Sequence, residues 1–463
     1  MIEFKGKKVL LLGLGLHGGG VSTARWLRKH GAELVISDLK DAKVLAPSLA
    51  KLKRWSDIQF VLGEHREKDI KWADIIIQNP GIPSNSPYIQ LAQKLGKPIY
   101  NEASLFFDRM KTQVIGITGT RGKSTTTSLI GAFLQAKDKG VVIAGNIRTT
   151  AMLDVVDKIK KPPAVVLELS SWQLEGLAPI KAAPQVAVVT NLYPDHLNRY
   201  PSLEDYYNSK KAIFRYQGNS DWLILNWRDE VVRAWASEAP GKVMFFSRAD
   251  YKRDGVFVRG QDIVFRQNSQ EEAILKLDDI KLKGEHNLEN VLAAVSVAKL
   301  FGVANNIIKK VLHHPPLLGG RQEIIQRKGG VTFVNDTTAT TPVAAMAALE
   351  SFSDKKKNIL LIAGGADKNL DYADWGTTVK KYCHEVWLLE GEASDKMEQA
   401  LAGFKNLHTD YYSLKAAVKE AFDLSARGDV ILFSPGAASF NLWQHEFERG
   451  DDFNKAVKRL AKL

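Results

Sequence analysis

A loop rich in glycine and hydroxyl groups, with one central lysine, lies between an apolar run and a helical pattern. It reads TGTRGKST at residues 118–125 and follows the run VIGI. Backbone N–H groups of such a loop surround phosphate oxygens, Lys123 can reach the β- and γ-phosphates, and a hydroxyl of Ser124 or Thr125 can ligate Mg²⁺. The spacing is a variant of G-x-x-x-x-G-K-[ST], because Ile117 stands at the first glycine position. The predicted nucleotide-binding residues are Gly119, Thr120, Gly122, Lys123, Ser124 and Thr125.

A second glycine-rich turn lies near the N-terminus. Gly13, Gly15 and Gly18 form G-x-G-x-x-G directly after the run KVLLL, and Asp38 ends the next β-like run. Such a turn places N–H groups at a helix N-terminus, where a diphosphate can bind. The pattern leaves three interpretations open: a dinucleotide site, a site for uridine or another nucleotide, and helix–strand packing in which Asp38 caps a helix.

Three further side chains gain chemical meaning only beside the phosphate loop. Glu168 lies at the end of the run AVVLE, from which a carboxylate commonly holds nucleotide-bound Mg²⁺, although an acid there can also cap a turn. His196 alone is compatible with a surface imidazole. Lys210, next to Lys211, is compatible with a solvated helix face. For these three residues the sequence pattern alone is compatible with metal binding and with these structural roles.

Short buried strands alternate with turns and amphipathic helices along the chain. The runs at 8–12, 114–117 and 331–334 each begin such a unit, which predicts an α/β fold of three domains with mainly parallel sheets and flanking helices. The Pro- and Gly-rich segment HHPPLLGGR, residues 313–321, is the predicted linker before the third unit. Predicted helices include 21–29, 88–95, 286–301 and a basic C-terminal helix at 453–463.

Composition narrows the class of protein. The 463 residues are 45% hydrophobic and 25% charged, which predicts two to four globular domains rather than a disordered or fibrous chain. The formal charge of +12 suits anionic ligands. Cys383 is the one cysteine, which excludes an intrachain disulfide and any multi-cysteine metal site. With no long apolar run and no cleavage signal, we expect a cytoplasmic protein without a membrane span.

Several segments occur in the order and spacing of one enzyme family: GITGTRGKSTTT, AGNIRTT, ELSSWQLE, NLYPDHLNRY, YYNSKKAIF and KGEHNLENVLAA. With them the chain resembles the Mur ligases over essentially its whole length. The early glycine loop and the segments GGADKNLDY and SPGAASFNLWQHEFERGDDF are most similar to the members that add D-glutamate. The resemblance implies a Rossmann-like UDP-sugar domain at 1–105, a P-loop ATPase domain at 106–315 and a Rossmann-like amino-acid domain at 316–463.

The resemblance also implies a reaction. ATP phosphorylates the carboxylate of UDP-N-acetylmuramoyl-L-alanine, the amine of glutamate attacks the acyl phosphate, and phosphate leaves from a tetrahedral intermediate. Two Mg²⁺ ions, a carbamylated lysine and a monomeric enzyme are implied, with neither nucleic acid nor a membrane span. The setting implied is cytoplasmic peptidoglycan precursor synthesis, and with it cell-wall biogenesis, cell shape and cell division.

Site residues are transferred by the same resemblance. Catalysis is assigned to Lys123, His196, Lys210 and Asn146. Metal binding is assigned to Ser124, Thr125, Glu168, His196 and carbamylated Lys210. Further ATP contacts are assigned to Asn290, Arg321 and Asp336. The UDP substrate is assigned to Gly15, Leu16, His17, Asp38, Asn79 and Gly81. The amino acid is assigned to Thr340, Lys368, Ser439 and Phe447.

This chain departs from the family pattern at a few positions. Thr338 replaces a lysine of the amino-acid loop, so L-glutamate or another amino acid stays open beside D-glutamate. Arg121, Asn198 and Gly320 replace an asparagine, an aspartate and a histidine. A hinge near residues 317–319 is expected to close the third domain over substrates.

Two other classes of protein compete with a ligase. A nucleic-acid-dependent P-loop ATPase would have clustered basic and aromatic residues, whereas Lys and Arg are dispersed here. An NAD-dependent oxidoreductase based on the first glycine loop leaves the phosphate loop unexplained.

Overall fold

The computed structural model describes most of the chain in two compact units, Met1–Pro316 and Leu317–Leu463. The described residues are 1–16, 18–146, 150–158, 162–195, 199–282, 284–316, 319–353, 357–439, 442–443 and 446–460. Of the predicted site residues, His17 and His196 lie outside this part. So do the substituted position Asn198 and two of the three residues of the predicted hinge, Leu317 and Leu318.

The first sheet of the N-terminal unit is entirely parallel, with strand order β3-β2-β1-β4-β5. Apolar strands such as IIIQ are buried between flanking helices, as the near-continuous hydrophobic runs predict. Its strands are β1 (Lys8–Leu12), β2 (Glu33–Asp38), β3 (Gln59–Leu62), β4 (Ile75–Gln78) and β5 (Ile99–Tyr100). Its helices are α1 (Gly19–Lys29), α2 (Ala42–Ala50), α3 (Glu67–Trp72), α4 (Pro87–Lys94) and α5 (Glu102–Arg109).

The second sheet of this unit has the order β14-β13-β12-β11-β10-β9-β6-β8-β7. Its strands are β6 (Val114–Thr118), β7 (Val142–Gly145), β8 (Val165–Glu168), β9 (Val186–Val189), β10 (Trp222–Asn226), β11 (Lys242–Ser247), β12 (Gly255–Arg259), β13 (Asp262–Gln267) and β14 (Gln270–Lys276). Its helices are α6 (Lys123–Lys137), α7 (Met152–Lys158), α8 (Ser171–Leu174), α9 (Leu203–Arg215), α10 (Glu230–Ala234), α11 (Glu285–Leu300) and α12 (Asn305–His313). Short 3-10 helices span Glu175–Ile180, Trp235–Glu238 and Leu277–Asp279.

One part of this sheet was not predicted from the sequence. Strands β12, β13 and β14 form an antiparallel meander at the sheet edge, although β12 pairs in parallel with β11. The strand β14 reads QEEAILK and is mostly exposed, so it lacks the continuous apolar run that marks the parallel strands. The mainly parallel α/β class is nevertheless confirmed.

The C-terminal unit has one sheet with the order β15-β16-β20-β17-β18-β19. The edge strand β15 is antiparallel to β16, and the other pairs are parallel. The strands are β15 (Glu323–Lys328), β16 (Val331–Asn335), β17 (Ile359–Gly364), β18 (Cys383–Leu389), β19 (Leu407–Tyr411) and β20 (Val430–Phe433). The helices are α13 (Pro342–Phe352), α14 (Ala373–Tyr382), α15 (Glu392–Ala400), α16 (Leu414–Leu424) and α17 (Glu446–Leu460).

The last helix begins earlier than predicted. The expected start was Phe453, whereas α17 begins at Glu446 and carries acidic residues in its first turn. Acidic side chains are favourable there because the N-terminal end of a helix carries partial positive charge. The predicted start takes account only of the basic and apolar residues in the C-terminal half of this helix.

Within the N-terminal unit, Asn101 joins the two sheet layers. Its side chain caps α5 by accepting the N–H of Ser104, and its Nδ2 donates to the carbonyls of Trp172 and Gln173 at 3.0 and 3.1 Å. Asn101 is itself buried. The first sheet is therefore fixed to the second by a satisfied polar group rather than by apolar packing alone.

Among the described residues, no helix is long and apolar enough to cross a membrane.

Candidate active site

The phosphate loop connects β6 to α6 at the carboxyl edge of the second sheet. Lys123 is the first residue of α6, so the loop N–H groups lie at the N-terminus of this helix, where anions bind. Gly119 and Gly122 have φ of +145° and +80°, and a Cβ on them would overlap Thr190 Oγ1 and Asn290 Oδ1. Both positions therefore require glycine, which accounts for the two glycines of the loop.

Lys123 and Lys210 converge on one carbonyl oxygen of this loop. Lys123 Nζ donates to the carbonyls of Gly119 and Thr120 at 3.0 Å each, and Lys210 Nζ donates to that of Gly119 at 3.1 Å. Lys210 projects from α9 and is only 2% exposed. Burial, with the nearby Lys123 ammonium, holds the pKa of Lys210 well below its ordinary value. Burial therefore favours the uncharged amine of Lys210 relative to an exposed lysine.

Asn146 and Glu168 form the other side of this edge. Strands β7 and β8 pair Gly145 with Glu168, which brings Asn146 Nδ2 within 3.0 Å of Glu168 Oε1. Glu168 is 2% exposed, and its Oε2 has no hydrogen-bond partner among the described residues. A buried carboxylate oxygen without a donor is costly unless a cation or an unseen donor satisfies it.

The donor set fits a hard cation. Glu168 offers an open carboxylate oxygen, and Ser124 lies in the first turn of α6 beside the phosphate loop. Carboxylate, hydroxyl and phosphate oxygens are the ligands that Mg²⁺ prefers. No group of three or more His, Cys, Asp or Glu side chains able to hold a metal occurs within the described ranges, and His196 lies outside them. The match between this donor set and Mg²⁺ therefore rests on the unsatisfied Oε2 oxygen of Glu168.

Asn290, a predicted ATP contact, packs against the phosphate loop from α11. Its Oδ1 faces Gly122, accepts from Thr126 Oγ1 at 3.4 Å, and is buried. The structure therefore brings α11 and the start of α6 together, and the side chain of Asn290 supports the loop conformation.

Tyr206 is a residue of this site that sequence reasoning did not single out. Its hydroxyl lies 3.2 Å from Thr120 Oγ1, and Lys210 Nζ lies 4.8 Å from the centre of its ring. Burial raises the pKa of the Tyr206 phenol, so the hydroxyl stays protonated. The signal that could have found it is its spacing of one helical turn before Lys210, which places both on one face of α9.

The first glycine loop is held by Asp38. Asp38 Oδ2 accepts the N–H groups of Leu14 and Gly15 at 2.8 and 2.9 Å, and Ser48 Oγ donates to the carbonyl of Gly15 at 2.7 Å. Asp38 is buried and ends β2. The Asp38 side chain therefore holds the loop in its conformation, and Asp38 is also one of the predicted UDP-binding residues.

Asn79 closes the same loop from the end of β4. A Cβ at Gly13 would lie 3.0 Å from Asn79 Cβ, and Asn79 Oδ1 accepts the N–H of Gly81 at 3.3 Å. Leu16 is half-buried at the loop. The predicted UDP-binding residues that the structure describes are thus gathered at the carboxyl ends of β1, β2 and β4.

In the C-terminal unit, Lys368 Nζ lies 3.2 Å from Thr340 Oγ1. These two predicted amino-acid ligands follow different strands, β17 and β16, and meet at the carboxyl edge of the sheet. Ser439 is buried just after β20, and Phe447 is half-buried in the first turn of α17. The four predicted amino-acid residues therefore belong to segments that follow the carboxyl ends of neighbouring strands.

Asp336 is buried directly after β16. It accepts Ser434 Oγ at 2.7 Å and the N–H of Gln322 at 3.1 Å, and burial raises its pKa to about 7. Arg321, its predicted companion, is exposed, and its charge lowers the pKa of Asp336 somewhat. Asp336 thus organises the turn that carries Arg321.

Two of the departures from the family pattern contact each other. Thr338 Oγ1 donates to the carbonyl of Gly320 at 2.9 Å, and the Thr338 N–H donates to the same oxygen at 3.1 Å. Gly320 has φ +72°, and a Cβ there would lie 2.6 Å from Thr337 Cγ2. The small residue at 320 and the hydroxyl at 338 therefore form one local arrangement.

Arg449 is a further residue that the sequence did not single out. It is fully buried on α17 and donates to the carbonyls of Thr337, Ala437 and Ala438 at 2.9 to 3.1 Å. Burial lowers its pKa to about 10. Because the bonded carbonyls flank the segments that carry Thr340 and Ser439, Arg449 fixes both segments at once.

Domain patterns of one family match three parts of the chain. They are the MurD-like N-terminal domain of Mur ligases at residues 7–101, the Mur ligase middle domain at 117–298 and the glutamate ligase domain of Mur ligases at 320–436.

Curated relatives match over nearly the full length. UDP-N-acetylmuramoylalanine–D-glutamate ligases from Roseiflexus sp. and Clostridioides difficile are 38% and 35% identical, over 99% of this chain and 100% of each relative.

Solved structures share the fold. A UDP-N-acetylmuramate-alanine ligase from Thermotoga maritima has a TM-score of 0.64 at 19% identity, covering 98% of this chain and 99% of its own. A MurF ligase of that organism, in complex with ADP, has a TM-score of 0.59 at 18% identity, covering 99% and 96%. The chain therefore belongs to the Mur ligase family of ATP-dependent ligases.

Proposed function

We propose that this protein joins D-glutamate to UDP-N-acetylmuramoyl-L-alanine with hydrolysis of ATP to ADP and phosphate, in cytoplasmic peptidoglycan precursor synthesis. The observation that carries the proposal is full-length identity of 35–38% to ligases named for this reaction. The phosphate loop with its two converging lysines supports the same reaction, because phosphoryl transfer is catalysed mainly by positioning and charge neutralisation.

The reaction needs activation of a carboxylate, which is a poor electrophile. Lys123 would neutralise charge on the transferred phosphoryl group, and the loop N–H groups would orient the phosphate chain. The substrate carboxylate attacks the γ-phosphorus and ADP leaves. The glutamate amine then attacks the acyl carbon, loses its proton, and phosphate departs with the electrons of the broken C–O bond.

Asn146 contacts Glu168 through both its side chain and its backbone. Its amide donates to Glu168, and its backbone N–H donates to the Glu168 carbonyl at 2.9 Å. We infer that Asn146 fixes the orientation of Glu168 beside the phosphates.

Two Mg²⁺ ions would be held at this edge, the first by Ser124 or Thr125 with Glu168, the second by His196 and carbamylated Lys210. When bound, these ions neutralise phosphate charge. A carbamate forms when the neutral amine of Lys210 attacks carbon dioxide and releases a proton, so the lowered pKa of Lys210 favours the reaction.

In the C-terminal unit, Lys368, Thr340, Ser439 and Phe447 would bind the amino acid. A lysine is suited to this role because glutamate brings two carboxylates. Thr338 stands where the family pattern has a lysine, so this loop lacks that cation, and the Thr338 hydroxyl donates instead to the Gly320 carbonyl. L-Glutamate or another amino acid is therefore the alternative substrate.

We infer that the protein is a monomer and that it binds no nucleic acid.

The decisive experiment compares amino acids directly. Purified protein with ATP, Mg²⁺ and UDP-N-acetylmuramoyl-L-alanine should release ADP with D-glutamate and far less with L-glutamate, L-alanine or a diamino acid. K123A is the matched control, and we expect it to lose turnover while keeping its fold. A different preferred amino acid would replace D-glutamate in the proposal, and turnover with none of them would refute ligase activity.

A further inference from the structure

Arg199 joins the connection from β9 to α9, in the second sheet layer, to a turn of the first layer. Its side chain is 11% exposed. Nη1 donates to the carbonyl of Pro80 at 2.7 Å, and Nη2 donates to that of Ile82 at 3.2 Å. These carbonyls belong to the turn after β4 at residues 79–82, the substrate turn, which contains two of the predicted UDP-binding residues. Arg199 therefore holds the backbone of this turn from the opposite layer.

The guanidinium of Arg199 also packs within its own layer. Its central carbon lies 4.6 Å from the centre of the Trp172 ring in α8, a cation–π distance. Glu175 lies 4.0 Å away, and its two carboxylate oxygens accept Tyr200 Oη at 2.6 Å and Ser84 Oγ at 2.7 Å. Because the ion pair is long while the bonds to the substrate turn have ordinary lengths, the carbonyls are the main partners of the guanidinium.

The bond to Pro80 orients the next N–H group of the substrate turn. The carbonyl of Pro80 and the N–H of Gly81 belong to one planar peptide group and point in opposite directions. A donor that fixes this carbonyl therefore fixes the N–H of a predicted UDP-binding residue. That N–H makes a long bond of 3.3 Å to Asn79 Oδ1, which a phosphate oxygen can replace at small cost.

The stretch of chain that ends with Arg199 is fixed to the phosphate loop near its start. This stretch is NLYPDHLNRY, residues 191–200, the histidine segment, which carries His196. The N–H of Tyr193 donates to Thr120 Oγ1 at 3.0 Å. His196 is three residues from Tyr193 and three from Arg199, so about 11 Å of extended chain at most separates it from either anchor. The histidine segment thus runs from the phosphate loop to the substrate turn.

We propose that Arg199 is a positioning residue that couples the substrate turn to the histidine segment, so that the UDP substrate and ATP strengthen each other's binding. This role rests on the proposed function, which supplies the two ligands. A ligand that fixes the substrate turn also fixes Arg199, and with it the segment anchored at the phosphate loop. Such coupling is reciprocal, because each ligand must change the affinity of the other by the same factor.

Arginine suits this position for a geometric reason. Its planar fork carries several N–H donors in fixed directions, so one side chain can serve two carbonyls of a turn and lie against an indole. A lysine presents a single ammonium on a flexible stem, and a methionine presents no donor. These two replacements therefore separate the hydrogen bonds of Arg199 from its packing.

The test is isothermal titration calorimetry of UDP-N-acetylmuramoyl-L-alanine into the full-length protein, with and without a saturating non-hydrolysable ATP analogue and Mg²⁺. In the unchanged protein we expect the analogue to strengthen substrate binding about fivefold or more. R199M should bind the substrate equally in both conditions, and about ten times more weakly than the unchanged protein with the analogue. R199K should keep part of the coupling. Affinity for the analogue alone should be nearly unchanged in both variants, because the bonds that they remove lie at the substrate turn.

Y200F is the matched control. It removes the hydroxyl that donates to Glu175 between the same two layers and leaves both bonds of Arg199 to the substrate turn. We expect Y200F to lower the urea midpoint of unfolding and to keep the coupling, whereas a merely structural role of Arg199 would give R199M and Y200F the same pattern.

The outcomes separate this role from the ligase reaction. Coupling in R199M equal to that of the unchanged protein, or no coupling in the unchanged protein, would overturn the proposal. Coupled binding that is lost in R199M, without turnover of any amino acid, would support the role of Arg199 and refute the proposed reaction.

Discussion

Lys210 Nζ donates a hydrogen bond of 3.1 Å to the carbonyl oxygen of Gly119, inside the turn of the phosphate loop. The same oxygen accepts Lys123 Nζ at 3.0 Å. Burial penalises a positive charge on Lys210, and the nearby Lys123 ammonium opposes that charge further. The loop contact that brings Lys210 beside Lys123 therefore adds to burial in lowering the pKa of Lys210.

Replacement of Lys210 should slow the reaction strongly without loss of the fold. K210R keeps a cation and cannot form the lysine carbamate, so we expect a fall in kcat on the order of 100-fold or more. NMR with ¹³C-labelled bicarbonate should show a carbamate resonance in the unchanged protein and none in K210R. K211R is the control, because Lys211 pairs with Glu238 at 2.6 Å on the exposed side. Full activity in K210R, or a carbamate resonance that persists in it, would contradict this role.

Alanine at Gly122 should weaken nucleotide binding. The added Cβ would overlap Asn290 Oδ1, and φ of +80° is unfavourable for alanine, so the loop must move. We expect ATP affinity, measured by calorimetry, to fall about tenfold or more, the effect of ~1.4 kcal/mol or more. G63A has similar backbone strain at φ +89° with open space around the Cβ, and it should retain ATP affinity. If the two variants bound ATP equally well, contact with Asn290 would not matter.

Glutamine at position 168 tests the metal role. E168Q can keep the oxygen that accepts Asn146 Nδ2 and places an amide nitrogen where the open Oε2 now lies. We expect the Mg²⁺ concentration required for ATP binding to rise at least tenfold, while binding of metal-free ATP changes little. N146A is a companion variant that leaves the carboxylate and removes its donor. Unchanged Mg²⁺ dependence in E168Q would exclude Glu168 as a ligand.

Local patterns predicted much of this molecule. The strands β6, β8 and β9 are apolar runs whose carboxyl ends must meet at one sheet edge, so Gly119 and Glu168 could be placed near each other. Arg449 could not be found in this way, since its role depends on burial and on partners distant in sequence, whereas Tyr206 is marked only by its helical spacing from Lys210. The meander at the sheet edge was missed because its outer strand is polar.

A buried glutamate should make the stability of the N-terminal unit depend on pH. Glu102, in the first turn of α5, is buried beside Gly19, and desolvation raises its pKa to about 7, partly offset by backbone N–H groups of α7. The folded state therefore holds a proton that the unfolded state releases above its ordinary pKa of about 4.5. Stability from this group is complete below that value and is lost as the pH rises to about 7, by roughly 1.4 kcal/mol per pH unit.

The measurement is urea unfolding of the full chain between pH 5 and 8. The stability of E102Q relative to the unchanged protein should increase by about 3 kcal/mol across this range, because glutamine does not ionise. E33Q, at an exposed position of the same sheet, should leave the profile unchanged. Parallel pH profiles for E102Q and the unchanged protein would refute the buried proton.

Arg449 should couple stability of the C-terminal unit to amino-acid binding. R449M fills similar volume but leaves the carbonyls of Thr337, Ala437 and Ala438 without their donor, and we expect a loss of about 3 kcal/mol in urea unfolding. R449K keeps the charge as a single ammonium that cannot span three carbonyls, so an intermediate loss is expected. Since the bonded segments carry Thr340 and Ser439, KM for the amino acid should rise more than KM for ATP in R449K. An equal rise in both constants would show that Arg449 acts on stability alone.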